Sequence, residues 1–213
     1  MNGTFVTKCD LTKLKSEILD SEGKLIIKPY SFYQGIDANE LRYFMLENAI
    51  YVMPTQELID WLKANIVGKA IEIGAGNGAI ARTLNIPITD SRMQERPEIK
   101  WYYETVMKQA PIKYHNDIEK LDAIEAIDKY KPDTVIGAFI THKFEESIGS
   151  GNAYGVKEEI ILQKVKRYIN IGNKITHKEK PILKTEHKEY YFEWLITRGA
   201  DQSQNAIFVF DTK

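Results

Sequence analysis

Residues 70–78 read Ala-Ile-Glu-Ile-Gly-Ala-Gly-Asn-Gly, an apolar strand that runs into a turn with glycine at 74, 76 and 78, and the helical stretch 79–84 follows at once. Glycine removes Cβ where the backbone must turn sharply and approach a ligand. The helix behind the turn points free N–H groups and a partial positive charge at whatever occupies it. An anionic group is expected there.

The glycines alone leave two readings open. Gly74-x-Gly76-x-x-Ala79 satisfies the dinucleotide fingerprint in its G/A form, with Asp90 near the place, about 20 residues on, where that fingerprint wants a ribose-binding acid. Glu72 adds a constraint. The strand is apolar on either side of it, as in a parallel strand covered on both faces, so this carboxylate costs several kcal/mol unless a cation or strong donors meet it. S-adenosylmethionine carries a carboxylate, an ammonium and a sulfonium within a few bonds, and it suits a helix N-terminus beside acidic side chains better than a pyrophosphate does. On Glu72, Gly74, Gly76 and Gly78 the chain resembles the class I S-adenosylmethionine-dependent methyltransferase family, whose glycine motif reads E-x-G-x-G-x-G. The resemblance implies a Rossmann-like fold and a donor held by Glu72, Gly74, Ala75, Gly76, Asn77 and Gly78. The plain alternative is a tight strand-to-helix connection with Glu72 satisfied by a neighbouring lysine or N–H.

A chain of 213 residues is one domain with at most a modest extension. The longest apolar runs, such as 135–140, are too short to cross a bilayer, and residues 1–8 lack a secretion-type apolar region. A cytoplasmic protein without membrane contact is expected. Cys9 is the only cysteine, which excludes an internal disulfide, and four scattered histidines without zinc-site spacing point to no metal. The net charge of −1 gives no global pull on nucleic acid, yet residues 157–188 carry nine positive against four negative side chains, a region that could meet an anionic partner or be a solvated face.

Taken in order, residues 11–19 have apolar positions at helical spacing, 24–28 read as a short strand, and Asp37 with Glu40 marks a helix start before Leu41, Phe44 and Met45. This is an N-terminal helical extension, residues 1–54, expected to cover the cofactor cleft, with 55–213 as the methyltransferase domain. Pro54 breaks the first part and Thr55 caps a helix over 56–62. Tyr51, in the elbow before it, resembles a donor-enclosing residue of small class I enzymes or is simply packing. Strands are then expected over 86–90, 111–117, 134–140, 167–172 and 206–210, and helices over 101–107, 121–130, 158–166 and 190–196, the aromatic 101–107 stretch belonging to the core. The alternation implies an α/β fold, a doubly wound, mostly parallel sheet flanked by helices. The family has seven strands; six are legible here, so the tail reads as reduced or rearranged.

The family resemblance places Asp90, at the end of the second strand, on the ribose hydroxyls and Asp117, after the third, on the adenine amino group. A carboxylate can accept from both hydroxyls of a diol, and capping of 91–94 is the other role open to Asp90. Ligands of open sheets bind at the carboxyl ends of the strands, which adds Ala138 to the donor set and makes 141–144 the place for the acceptor. Amino methyltransferases acting on adenine or cytosine carry D/N/S-P-P-Y/F/W there; this chain does not, and it also lacks the Pro-Cys nucleophile of carbon methylation. Thr141-His142-Lys143 recurs as Thr176-His177-Lys178. If both follow their strands, two histidines flank one cleft, and histidine titrates near neutrality, so His142 and then His177 are the candidate bases. Glycines at 149, 151 and 155 make 147–155 either a loop that closes on the acceptor or a passive linker. The function expected is methyl transfer from S-adenosylmethionine to an unidentified acceptor, giving S-adenosylhomocysteine. The alternatives are a non-catalytic binder of the same fold and a NAD-dependent oxidoreductase.

Overall fold

A computed structural model of the chain describes residues 6–146 and 149–212. The expectation about residues 1–8 therefore falls largely, and that about the 147–155 loop partly, outside the described residues. Three short helices open the chain, α1 (Thr12–Ile18), α2 (Tyr30–Gln34) and α3 (Ala38–Glu47). Asp37 caps α3 as its spacing predicts, accepting from the backbone N–H groups of Asn39 and Glu40 at 2.9 and 3.1 Å. Leu14, Ile18, Tyr33, Phe44 and Met45 close an apolar cluster of their own that Met53 and Ile196 complete. The strand expected over 24–28 is reduced to isolated bridges at Leu25 and Lys28.

The two-residue strand β1 (Val52–Met53) leads through the Thr55 cap into α4 (Gln56–Asn65), and β2 (Ala70–Ile73), α5 (Ala79–Leu84) and β3 (Thr89–Asp90) follow. After α6 (Pro97–Trp101) come β4 (Glu119–Lys120), α7 (Ala123–Tyr130), β5 (Thr134–Ala138), α8 (Glu158–Leu162), β6 (Arg167–Asn173), α9 (Lys174–His177), β7 (Lys188–Tyr190), β8 (Ile196–Thr197) and β9 (Asn205–Asp211). Across the sheet the order is β4-β3-β2-β5-β6-β9-β7, with β3 joined to β2 through the parallel Glu72–Ile88 bridge. Among the described residues of this sheet only β9 runs against its neighbours, and β1 and β8 form a separate antiparallel pair. Ile71, Ile73 and Val135 face α7 on one side, while Ile136 and Ile169 face Leu58, Ile59 and Leu62 of α4 on the other. The sheet is thus mixed but mostly parallel and covered by helices on both faces. Successive strands step one way from β2 to β3 and the other way to β5, and the carboxyl ends at that reversal form the crevice where such sheets bind ligands.

Four expectations about elements need correction. No strand forms over 111–117; Ile112 gives its N–H to the Gln94 side chain at 2.9 Å, and the third parallel strand is β4, further on. No helix forms over 190–196: Tyr190 ends β7, a turn follows at 193–194, and the rings of Tyr190, Phe192 and Trp194 stack in series, the first two meeting Trp61 of α4. The tail is not reduced, since β7 supplies the missing strand. The 101–107 stretch is not core: α6 passes into a π-helical turn (Tyr102–Val106), and Trp101 at the end of α6 is exposed together with Tyr102 and Val106 of the turn.

Candidate functional site

A cavity of about 180 Å³ lies at the carboxyl ends of β2 and β5, lined by Glu72, Gly74, Ala75, Gly76, Asn77, Asp90, Ala138 and Tyr51 together with residues that the sequence did not single out. The glycine turn is built as its composition demands, with φ of +54° at Gly74, +58° at Gly76 and +74° at Gly78, a region that side chains other than glycine rarely occupy. Its anion comes from the chain itself. Asp90 accepts the Gly76 N–H at 2.9 Å and, through its other oxygen, the Arg92 N–H at 2.7 Å. The Ala75 N–H goes to the Thr89 carbonyl at 3.0 Å, and the Ala79 N–H to the Asn77 side chain at 2.9 Å. The turn's donors are therefore largely committed within the protein, so the expected site for an external anion gives way to a cavity whose charged groups are carboxylates.

Glu72 is 1% exposed and has the Ala81 N–H of α5 as its hydrogen-bond partner at 2.9 Å. Burial pushes its carboxyl up to about 8, that one N–H pulls the other way, and the nearby Asp90 charge raises it further. Asp90 is raised as well, chiefly by burial, against the hydrogen bonds it accepts from Gly76, Arg92 and Tyr114. Two carboxyl groups with proton affinities above their ordinary values thus share one enclosed space, an arrangement that favours a cation entering it.

The rest of the wall is aromatic and aliphatic. Tyr51 packs against Phe139 with ring centroids 6.0 Å apart, and the guanidinium of Arg198, just past β8, lies 4.4 Å from the Tyr51 ring centre. Met93, Gln94, Tyr103, Tyr114 and Ile112 line the side beyond Asp90. Past the end of β5, Ile140 and Thr141 line the cavity together with Asn152, Tyr154, Gly155 and Val156 of the returning loop. That loop is pinned by parallel bridges from His142 to Val156 and from Lys143 to Asn152, and Tyr154 lies under the Arg96 guanidinium at 4.8 Å.

Four residues singled out in the sequence stand elsewhere. Gly78 caps α5 at its start, where a Cβ would fall 2.9 Å from Ile88; its lack of a side chain serves packing. Asp117 precedes β4 rather than following a strand, and Arg82 holds it at 2.7 Å, away from the cavity lining. His142 sits 3.1 Å from the Ser150 hydroxyl, outside the lining. His177 is buried against Phe139 at 4.7 Å between ring centroids, takes the Asn173 N–H at 3.0 Å, and is lowered to about 3 by burial, so it stays neutral. The basic stretch 157–188 is largely neutralised in place, with Lys164 on Asp128, Lys166 on Asp133, Arg167 on Asp211, Lys174 on Glu189 and Lys180 on Glu158. Among the residues missed, Phe139 had no local signal: its φ of +58° is unusual for an aromatic residue and shows only in the fold.

No protein-family model and no curated protein matches the chain. Solved structures similar to it include magnesium protoporphyrin IX methyltransferase (ChlM) from Synechocystis PCC 6803 with bound SAM, at 11% identity over 99% of this chain and 100% of that one, with a TM-score of 0.39. The 1320 protein of Thermoplasma acidophilum aligns at 13% identity over 86% of this chain and 95% of that one, TM-score 0.35. The PH0226 protein of Pyrococcus horikoshii OT3 aligns at 12% identity over 86% of this chain and 99% of that one, TM-score 0.35. At such identities the site has to be judged by its own residues.

Proposed function

We propose that the chain binds S-adenosylmethionine in the cavity between β2 and β5 and transfers its methyl group to an acceptor entering past Thr141 and Tyr154. The observation that carries this reading is the pair of buried carboxyls, Glu72 and Asp90, facing the same cavity beside a glycine turn whose N–H groups are already committed. A pyrophosphate would meet negative charge there without the backbone donors it needs, which disfavours a NAD-dependent reaction. A ligand bearing an ammonium and a sulfonium is met by carboxylates instead. In this reading Glu72 takes the positive end of the amino acid, Asp90 the ribose hydroxyls, and Tyr51 closes the cavity from the 1–54 cover, with 55–213 as the catalytic domain. Gly74 and Gly76 let the backbone approach the donor.

The donor supplies an electrophilic methyl on positive sulfur, and the carbon–sulfur bond breaks as the acceptor's lone pair attacks. What the chain adds is alignment and exclusion of water, the Phe139–Thr141 turn and the 152–156 loop fixing the line of approach. A non-catalytic binder of the same fold is the second reading, favoured by one specific feature: His142 and His177 are both engaged outside the cavity. Titration calorimetry with S-adenosylmethionine, S-adenosylhomocysteine and NAD tests the ligand. Binding of the first two and not of NAD is expected, and NAD binding alone would sink the proposal. Release of S-adenosylhomocysteine on incubation with cell extract then separates turnover from mere binding.

A further inference from the structure

Behind the cavity lies a buried ion pair that the donor chemistry leaves unused. Lys180 and Glu158 are each 1% exposed and their charged groups are 2.8 Å apart. Tyr168 of β6 donates its hydroxyl to Glu158 at 2.7 Å, while the other Glu158 oxygen has no partner among the described residues. An ion pair buried in this way adds little over apolar side chains of similar volume, so its retention calls for a geometric explanation. The Lys180 ammonium supplies one, because it also donates to the Ile140 carbonyl at 2.9 Å, 40 residues away in sequence.

Ile140 is where the sheet meets the glycine turn. A Cβ on Gly74 would come within 2.5 Å of the Ile140 Cδ1, and one on Gly137 within 2.7 Å of its Cγ1. Both glycines make room for this one side chain, which also lines the cavity. Immediately before it, Phe139 is held at φ +58°, a conformation that costs a bulky residue on the order of 1–3 kcal/mol and persists only where its surroundings impose it. Its N–H is fixed on the Ile171 carbonyl at 2.8 Å, and its ring on His177, whose own carbonyl accepts the Lys180 N–H at 2.9 Å.

We propose that Lys180 is a positioning residue for the donor site: its ammonium, oriented by Glu158 and Tyr168, holds the 139–140 turn in its strained form and keeps Ile140 seated against Gly74. The role rests on the cavity being the donor site. Lys180→Met alone strands Glu158, so the informative variant is Lys180→Met with Glu158→Gln, which removes both charges at nearly constant volume. It is expected to stay folded by circular dichroism, with a lowered melting temperature, and to bind S-adenosylmethionine about tenfold or more weakly at a temperature where it is fully folded, because the 139–140 turn relaxes from its binding geometry. Tyr168→Phe, which only loosens Glu158, is expected to weaken binding by a smaller factor. In methyl-labelled protein without ligand, the Ile140 δ1 signal should move in the double variant while that of Ile59, in α4, stays in place. Wild-type affinity with an unmoved Ile140 signal in a folded double variant overturns the role. If the wild-type chain itself takes up no S-adenosylmethionine, the donor reading falls first and this role with it, a different and separable result.

Discussion

Glu72 shows how one side chain can be legible in sequence and still change meaning in the fold. A carboxylate within an apolar strand announced a partner; the structure gives it one backbone N–H and a raised proton affinity, so by itself it keeps its proton at neutral pH. The sign of the pH dependence follows. The folded state binds a proton that the unfolded state has released between pH 4.5 and about 8, so Glu72 makes the unliganded protein less stable as pH rises through that window. The loss, on the order of 4–5 kcal/mol if no relaxation intervenes, is expected to appear as a falling melting temperature between pH 5 and 8 that Glu72→Gln flattens. A melting curve equally steep in the variant would place the effect elsewhere. Asp117 gives the opposite case. Its partner is Arg82 at a half-exposed site, so Asp117→Ala should cost about 0–1 kcal/mol in denaturant titration and leave donor affinity unchanged. A large loss of affinity would restore Asp117 to the ligand.

At the scale of elements, the glycine turn and the β5 turn form one unit. Gly76 has only Ile112 at 3.7 Å from where a Cβ would stand, so an added side chain finds the cavity itself as its open space. Gly76→Arg is expected to fill the donor space and abolish binding, and at φ +58° it carries about 1–2 kcal/mol of backbone strain, which leaves the fold intact. Calorimetry with S-adenosylmethionine alongside circular dichroism checks both halves, and unchanged affinity would count against the cavity as the site. At Gly74 the outcome differs in kind. A Cβ there collides with Ile140, so Gly74→Ala should lower stability by about 1–3 kcal/mol through overpacking as well as weaken binding, measured by thermal melting and calorimetry together.

The whole molecule joins two apolar clusters across the sheet to a third under α1–α3. The N-terminal cluster reaches the rest through Met53 and Ile196, and Arg42 adds hydrogen bonds to the carbonyls of Arg198 and Gly199 at 3.4 and 3.3 Å. Ala49, Tyr51, Val52 and Pro54 stand in the cavity wall, so the end of the 1–54 segment contributes to it. A 55–213 fragment is therefore expected to lose donor binding, and also stability, since β8 loses its partner β1. Full affinity in that fragment would show that the first segment is dispensable.

The sequence by itself determined what depends on near neighbours and on period. The glycine turn, the Asp37 and Thr55 caps, the alternation of strand and helix, and the burial of Glu72 are all written within a few residues of one another. Asp90 at the end of its strand belongs with them. The structure decided whatever needs a partner distant along the chain. Asp90 fills the turn that seemed to await an outside anion, Arg82 claims Asp117 from 35 residues away, and His177 turns inward to Phe139. The helix expected over 190–196 fails for a tertiary reason, the packing of Tyr190 and Phe192 on Trp61. Lys180 marks the limit most sharply. Among the nine cations of its region nothing local separates it from a solvated lysine, and only chain closure places its ammonium under the cavity, because burial and pairing are properties of the packed sheet and not of the stretch that carries the charge.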